Sequence, residues 1–213
     1  MVSHTNQKES ILTYQVHGVS ASGNCYKVRL ALEQLNLPYV WHENDMMNGA
    51  TRTDEFRKLN PNGKVPVLVI DENTTLSESD AILCYLAEGT PLLPSDRLER
   101  ARVLQWMFFE QYSHEPNVAV ARFILQFQKK PDDPRLPDRI AGSYRALDVM
   151  EQHLATRTFF VGERYTVADI ALYAYTHVAD EANVDLSRYP AIRAWLERVR
   201  SQPRHVEMPG VDQ

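Results

Sequence analysis

Strand-like patterns occur only before residue 89 of the 213-residue chain, and this restriction limits the possible folds more than any other feature. The later residues show apolar side chains at helical spacing and no alternation typical of a strand. Residues 89–95 (GTPLLPS) separate the two parts and have the composition of a linker. We therefore predict a flexible leader at 1–10, an α/β domain at 11–88 and an all-α domain at 96–213.

The α/β part alternates between strand and helix patterns. β-prone runs occur at residues 11–16, 39–41, 65–70 and 74–76, with helical patterns between the first three and after the last. The predicted order is therefore β-α-β-α-β-β-α. A helix joins the first two strands, which favours parallel pairing, and a short turn at residues 71–73 joins the last two, which favours a hairpin.

The all-α part contains four helical patterns. They lie at residues 96–128, 138–154, 166–178 and 191–200. Thr166 and Asp169 have the spacing of a capping box at the start of the third pattern. We interpret that pair as a helix start and not as a site.

Residues 22–25 (SGNC) form a small polar turn between the first strand and the first helix. Such a turn aims backbone N–H groups and the positive end of the helix dipole at one point, which suits an anion. Ser22 and Cys25 have the spacing of a redox C-x-x-C pair whose first cysteine is a serine. This predicts a site for the thiolate of another molecule, with the Ser22 hydroxyl as donor. The alternative is that Ser22 only caps the helix.

The magnitudes are sufficient for such a site. Lowering the pKa of a thiol from ~8.5 by about two units requires about 2.7 kcal/mol in favour of the anion. A hydrogen bond to a charged group contributes about 1.5–3 kcal/mol, and a helix N-terminus adds about 0.3–1 kcal/mol. The hydroxyl and the N–H groups around Asn24 therefore suffice. Cys25 is an alternative nucleophile, because its place at the helix start is expected to lower its pKa.

Residues 60–68 (NPNGKVPVL) combine a strong turn signal with a proline that enters a strand. Such a proline belongs at the first position of a strand or at an edge, because it has no N–H to donate. A cis Val65–Pro66 bond would turn the Val65 backbone outward, where it pairs with an extended peptide. A plain turn before the strand is the alternative, and the sequence alone does not decide between them.

Residues 76–81 (LSESDA) place polar side chains where a strand ends and a helix begins. Ser79 and its N–H group suit a carboxylate, and Glu78 suits an adjacent ammonium group. Together they match the two charged groups of an α-amino acid. The alternative is that the serines are caps and that the acids complement the helix dipole.

Three aromatic residues of the first long helix, Trp106, Phe109 and Tyr112, lie near the expected interdomain cleft. We predict that they form the wall of a cleft for a second substrate. The alternative is that they belong to the core, as aromatic stripes more often do.

Composition excludes several other classes. The net charge of −5 implies no affinity for nucleic acid, and no apolar run is long enough for a membrane span. The polar N-terminus lacks the apolar segment of a signal peptide. The seven histidines lack ligand spacing, so we expect no metal. Cys25 and Cys84 are expected to be reduced thiols in a cytoplasmic protein.

Taken in order, four motifs resemble the cytosolic glutathione transferase superfamily. They are residues 22–25 (SGNC), 60–66 (NPNGKVP), 76–82 (LSESDAI) and 166–169 (TVAD). The resemblance extends over most of the chain, and it is closest to serine-type, bacterial members. It implies a thioredoxin-like N-terminal domain, a C-terminal α-helical bundle and usually a homodimer.

The resemblance also implies roles for individual residues. Ser22 stands where serine-type members have their catalytic hydroxyl, and Asn24 stands where some bacterial members place a second amide against the thiol. Pro66 is implied to be cis. The residues implied to bind glutathione are Lys64, Val65 and Pro66, together with Glu78 and Ser79 at the γ-glutamyl end.

The sequence thus predicts a glutathione transferase that activates the thiol of glutathione, its co-substrate, for attack on an electrophilic and largely apolar second substrate. One alternative is a glutathione-dependent thiol–disulfide oxidoreductase or peroxidase that uses Cys25. Another is a non-catalytic binding protein on the same fold.

Overall fold

The computed structural model describes residues 13–211, so the predicted leader at 1–10 lies outside the described residues. Within this range the strands are β1 (Tyr14–Gly18), β2 (Tyr39–Glu43), β3 (Val67–Asp71) and β4 (Thr74–Ser77). They form one sheet in the order β2-β1-β3-β4. β1 pairs in parallel with β2 and antiparallel with β3, and β3 pairs antiparallel with β4. The predicted parallel start and antiparallel end are confirmed.

Three helices accompany the sheet: α1 (Gly23–Gln34), α2 (Asp54–Leu59) and α3 (Ser79–Ala87). α1 and α3 pack against each other, and their apolar side chains join those of β1 and β3 in one core. Val16 of β1 lies opposite Leu68 of β3, and both are fully buried. The predicted order β-α-β-α-β-β-α and the thioredoxin-like domain are confirmed.

All later elements are helical. They are α4 (Arg97–Phe109), a π-helical turn (Glu110–His114), α5 (Glu115–Arg122), a second π-helical turn (Phe123–Phe127), α6 (Leu136–Leu154), α7 (Val167–Thr176), a 3₁₀ turn (Ala179–Ala182) and α8 (Pro190–Arg200). α4 and α5 continue through the π-helical turns as one long helical stretch, in agreement with the prediction. π-helical turns are rare and often occur at functional sites.

Side-chain caps define several helix starts. The Thr53 hydroxyl accepts the Phe56 N–H at 3.2 Å before α2. Thr166 and Asp169 form the predicted capping box at the start of α7.

One strand start differs from the sequence prediction. β3 begins at Val67 and not at residue 65, because the Val65–Pro66 peptide bond precedes it in the cis form.

α7 is the central element of the helical domain, and every one of its residues is buried. It packs against α4, α5 and α8, and also against α1 of the N-terminal domain. The contact between α7 and α1 joins the two domains at the helix that begins beside Ser22. Packing within the helical domain therefore determines what faces the start of α1.

Candidate active site

Ser22 is the last residue before α1, and its backbone is extended (φ −85°, ψ 127°). Its side chain makes no capping hydrogen bond to the helix, so it does not act as a conventional N-cap. Ser22 instead lines a cavity of about 440 Å³ between the two domains. The strand-to-helix turn therefore presents this side chain to the cavity.

Asn24, in the first turn of α1, connects three parts of the site. Its Nδ2 donates to Oε1 of Glu115 at 3.1 Å, and its Oδ1 accepts from the Ser79 hydroxyl at 3.3 Å. Its backbone N–H donates to the hydroxyl of Tyr175 at 3.3 Å. One of the N–H groups expected to face an anion thus already has a partner. An amide nitrogen has two hydrogens, so Nδ2 retains one for a ligand.

Cys25 is completely buried, and the Val19 N–H donates to its sulfur at 3.4 Å. Burial raises the pKa of the Cys25 thiol to about 11, although hydrogen bonds from Val19 and Ser22 act in the opposite direction. The expectation that the helix start lowers this pKa is wrong, because the desolvation of the thiolate outweighs the helix dipole. Neither cavity of the site is lined by Cys25.

The Val65–Pro66 peptide bond is cis, as the family resemblance implies. The turn before it is held by Asn60, whose Nδ2 donates to the Lys64 carbonyl at 2.8 Å. Gly63 adopts a positive φ of 64°, a region that side chains other than glycine rarely occupy. Lys64 and Val65 line the interdomain cavity as a result of this turn.

Glu78 and Ser79 lie where β4 leads into α3. Glu78 has φ 68° and ψ 113°, a sparsely populated conformation that costs about 1–3 kcal/mol and is typical of functional sites. Ser79 is buried, and its hydroxyl is held against Asn24. Both residues line a second, smaller cavity of about 120 Å³.

A buried charge cluster lies next to Ser79. Nζ of Lys27 is 2.7 Å from Glu110, 3.1 Å from Asp80 and 3.4 Å from the Ser79 hydroxyl. Burial alone would lower the pKa of Lys27, but the two carboxylates outweigh this effect and hold its pKa above the ordinary range. One oxygen each of Asp80 and Glu110 is buried without a partner. The cluster fixes α1, α3 and the π-helical turn together around the site.

The two cavities form one continuous site, because they share Asn24, Lys64, Val65 and Glu115. The smaller cavity is lined mainly by polar side chains and contains every predicted glutathione-binding residue. These residues are Lys64, Val65, Pro66, Glu78 and Ser79. The larger cavity also has an apolar wall, formed by Met46, Ala119, Val120 and Phe123. A polar compartment thus opens directly into a more apolar one at these four shared residues, and Ser22 lines the more apolar compartment.

The structure places the three predicted aromatic residues elsewhere. Trp106 is 9% exposed and packs against Phe160 and His153 inside the helical domain. Phe109 packs edge-to-face on Trp106, and Tyr112 is 87% exposed. None of the three lines the two cavities of the site. Three residues of the apolar wall, Ala119, Val120 and Phe123, lie further along the same helical stretch.

Sequence reasoning missed Glu115 and Tyr175, which both line the larger cavity. Helical periodicity does not identify the cavity face of α7, because α7 is buried on all sides. The sequence contains one indication of this contact, Gly23. A glycine in the first turn of a helix indicates that another group approaches the backbone closely. The sequence does not say which group this is.

Within residues 13–211, no cluster of three or more histidine, cysteine or acidic side chains is arranged to hold a metal ion. In the same part of the chain, no helix has the length and apolar character needed to cross a bilayer.

Two family models match the chain. The model described as "Glutathione S-transferase, N-terminal domain" matches residues 21–88, and "Glutathione S-transferase, C-terminal domain" matches residues 114–203. The fold and the composite site thus define the class of protein. The chain belongs to the glutathione S-transferase family.

Individual relatives agree with this assignment. A glutathione S-transferase structure from Pseudomonas fluorescens Pf-5 is 54% identical, with a TM-score of 0.90, and the match covers 92% of this chain and 98% of the other. Disulfide-bond oxidoreductase YfcG of Escherichia coli K12 is 32% identical over 187 residues, 84% of this chain and 87% of the relative. A Pseudomonas putida glutathione transferase, solved with one glutathione disulfide per subunit, is 27% identical with a TM-score of 0.81, covering 93% and 91% of the two chains.

Proposed function

We propose that the chain is a glutathione transferase in which Ser22 and Asn24 stabilise the thiolate of bound glutathione. One observation carries this proposal: the polar cavity with the predicted glutathione contacts meets the more apolar cavity at Asn24, and Ser22 lines the more apolar cavity two residues before it. Ser22 donates from its hydroxyl, and Asn24 donates the hydrogen of Nδ2 that Glu115 does not use. Neither residue acts as a base, and the thiol proton leaves to solvent.

The γ-glutamyl end and the cysteinyl backbone of glutathione lie against the residues of the smaller cavity. Its γ-glutamyl carboxylate meets Ser79 at the start of α3, its ammonium group meets Glu78, and its cysteinyl backbone pairs with Val65. Lys64 supplies a cation to the same compartment. The glutathione thiol then points to the boundary with the larger cavity, where an electrophile sits against Val120 and Phe123.

The reaction is a substitution or an addition. The thiolate attacks an electrophilic carbon and a carbon–sulfur bond forms. In a substitution, a leaving group such as chloride departs with the electron pair of its bond. In an addition, the electron pair of the double bond takes up a proton from solvent. Hydrogen bonds to sulfur increase the ionised fraction of the thiol at neutral pH, which is otherwise a few per cent.

The decisive experiment is the Ser22→Ala variant, assayed with glutathione and an activated chloronitrobenzene. We expect kcat/KM at neutral pH to fall at least tenfold and the pKa of the bound thiol to rise by about one unit. Ser201→Ala, which changes an exposed serine after α8, is the matched control. Unchanged turnover and an unchanged thiol pKa in Ser22→Ala would remove the role of Ser22. Failure of wild-type protein to bind glutathione in calorimetry would favour a non-catalytic protein.

A second function, reduction of disulfides, is favoured by two observations. YfcG is named a disulfide-bond oxidoreductase, and the Pseudomonas putida transferase was solved with glutathione disulfide. In this chain the reaction proceeds without Cys25, because that thiol is buried with a raised pKa. The thiolate of bound glutathione attacks a disulfide and releases one thiol. A second glutathione then resolves the mixed disulfide, which yields glutathione disulfide and the second thiol.

Cys25→Ala separates this mechanism from one that uses the cysteine. We expect Cys25→Ala to retain glutathione-dependent reduction of a small symmetrical disulfide, and we expect mass spectrometry to find no glutathione adduct on wild-type Cys25. Loss of activity together with an adduct on Cys25 would instead establish a protein thiol as the nucleophile.

We further propose that two copies associate through the surface formed by α3 and α4. Phe108 is 69% exposed there, beside a groove of about 460 Å³ lined by Ala81, Cys84, Leu104 and Met107. An exposed apolar surface of this kind is typical of a protein–protein interface. Light scattering should give the mass of a dimer, and Phe108→Ser should give a monomer. A monomeric wild-type protein would contradict the proposal.

The cytoplasmic location stays a prediction, supported by two free cysteines.

A further inference from the structure

Tyr175 belongs to the helical domain, yet its hydroxyl lies at the start of α1. It is only 6% exposed, and its Oη accepts the backbone N–H of Asn24 at 3.3 Å. That N–H belongs to the first turn of α1, where N–H groups have no partner within the helix. Tyr175 therefore occupies the point at which the helix dipole is directed.

Gly23 makes this approach possible. A Cβ at residue 23 would lie 2.6 Å from Cε1 and Cζ of Tyr175 and 2.8 Å from Cε2. Atoms do not approach so closely, so any larger residue would push the ring away from α1. The glycine of the SGNC turn thus accommodates a phenol from the other domain.

The hydroxyl of Tyr175 has a hydrogen to donate. A phenol accepts through its lone pairs and donates one O–H. Its lone pair is used by Asn24, and within residues 13–211 no acceptor is in place for its own hydrogen. Tyr175 lines the same cavity of about 440 Å³ as Ser22, so its O–H is available to a molecule in that cavity. Burial, reinforced by the charge of Glu115, raises the pKa of Tyr175, so the phenol keeps its proton.

We propose that Tyr175 is a catalytic residue that donates a second hydrogen bond, in addition to that of Ser22, to the sulfur of bound glutathione. The inference rests on the proposed function, since it requires the glutathione thiolate at the boundary between the two cavities. Tyr175 holds its proton on Oη throughout and transfers none. The thiolate is thereby held between an N-terminal serine and a C-terminal tyrosine, so its stabilisation depends on the packing of α7 against α1.

A purely structural role makes a different prediction. If Tyr175 only fills space against Gly23 and accepts the Asn24 N–H, phenylalanine should leave the pKa of the bound thiol unchanged, and any loss of kcat/KM should be the same at every pH. If the hydroxyl contacts sulfur, its removal should raise the pKa of the bound thiol by about one unit, since hydrogen bonds to charged groups have that magnitude.

The experiment compares four proteins: wild type, Tyr175→Phe, Ser22→Ala and Tyr173→Phe. Tyr173 is a matched control, because it is a buried tyrosine of α7 whose hydroxyl contacts His205 and does not line the cavity. The pKa of the bound thiol is measured from the ultraviolet absorbance of the thiolate in the glutathione complex. The ratio kcat/KM for the electrophile, with the protein saturated with glutathione, is measured below and above that pKa.

We expect Tyr175→Phe to raise the thiol pKa by about one unit and to lower kcat/KM about tenfold at a pH below both pKa values. Above both values the thiol is fully ionised, so kcat/KM should return to within about twofold of wild type. A merely structural defect would lower kcat/KM at every pH. Tyr173→Phe should behave as wild type.

The outcomes separate the two levels of inference. An ordinary thiol pKa in the wild-type complex would overturn the proposed function itself. A second outcome is that the thiol pKa is lowered in the wild-type complex, rises in Ser22→Ala and is unchanged in Tyr175→Phe. That outcome would overturn only the role of Tyr175. If Tyr175→Phe does not fold, fluorotyrosine at position 175 provides the test. As a more acidic phenol it is a stronger donor, so the thiol pKa should fall below wild type, and no change would overturn the inference.

Discussion

Nη1 of Arg122 donates a 2.7 Å hydrogen bond to the carbonyl oxygen of Ala21, the residue immediately before Ser22. Arg122 ends α5 of the helical domain and is almost completely buried. Its Nε also pairs with Glu181 at 2.7 Å. The turn that carries the proposed catalytic serine is therefore held from the other domain by a buried cation.

Arg122→Leu should be strongly destabilising. The substitution leaves the Ala21 carbonyl and the Glu181 carboxylate without their partner, and removing one member of a buried ion pair costs about 3–5 kcal/mol. Because Glu181 is partly exposed, we expect the lower end of this range. The free energy of unfolding, measured with urea, tests this. Arg200→Leu, which breaks an exposed pair with Glu207, is the control and should cost less than about 1 kcal/mol. Equal losses in the two variants would contradict the prediction.

Lys27→Met should destabilise the protein. Lys27 is fully buried between Glu110 and Asp80, so its removal leaves two uncompensated carboxylates beside Ser79. We expect a loss of about 3–5 kcal/mol in the free energy of unfolding. The double variant Lys27→Met/Glu110→Gln removes one of these charges and should recover part of the loss. A double variant that is no more stable than Lys27→Met would show that charge is not the cause.

Much of the site could be predicted from sequence because its signals are local. Ser22 precedes a helix, Pro66 enters a strand, and Glu78 and Ser79 lie at a strand-to-helix junction, so each position follows from neighbouring residues. The same holds for the capping box at Thr166. In each case hydrogen bonding or backbone conformation within a few residues determines the arrangement.

The remaining features depend on tertiary packing. Tyr175 reaches the site only because α7 packs on α1, and nothing near it in sequence indicates that contact. The sequence predicts Trp106 in a cleft wall, whereas the structure packs it against Phe160, since aromatic side chains are equally suited to a cleft wall and to a core. The helix start predicts a lowered pKa for Cys25, but complete burial reverses the direction. Desolvation is a property of the folded surroundings that the local sequence does not reveal.

Cys25 should resist alkylation in the native protein. Burial raises its pKa to about 11, so at about pH 8 the thiolate is absent and the sulfur is also inaccessible. Cys84 lines the proposed dimer surface, so the comparison is made for Cys25 alone, between native and urea-unfolded protein. Peptide mass spectrometry after brief labelling with iodoacetamide measures this site, and the urea-unfolded sample provides the control in which it reacts. Labelling of Cys25 in the native protein as fast as in the unfolded sample would contradict its placement.

His114 should make the protein less stable in acid. It is completely buried with Nε2 3.0 Å from the Thr176 hydroxyl, and burial, followed by the charge of Lys27, lowers its pKa to about 3. The unfolded chain has a histidine pKa of ~6.5, so between these values the unfolded state binds more protons and stability falls as the pH falls. By about pH 4.5 this one group should remove about 3 kcal/mol from the free energy of unfolding at neutral pH.

The His114→Gln variant isolates this contribution, because glutamine retains a polar side chain near Thr176 and does not titrate. Urea unfolding at neutral pH and at about pH 4.5 should show a loss of stability about 3 kcal/mol smaller in His114→Gln than in wild type. The comparison is made as a difference between the two pH values, so a constant cost of the substitution cancels. His177, whose pKa burial lowers to about 4, contributes a similar acid loss to both proteins and cancels as well. Equal losses in the two proteins would mean that His114 already titrates normally in the folded state.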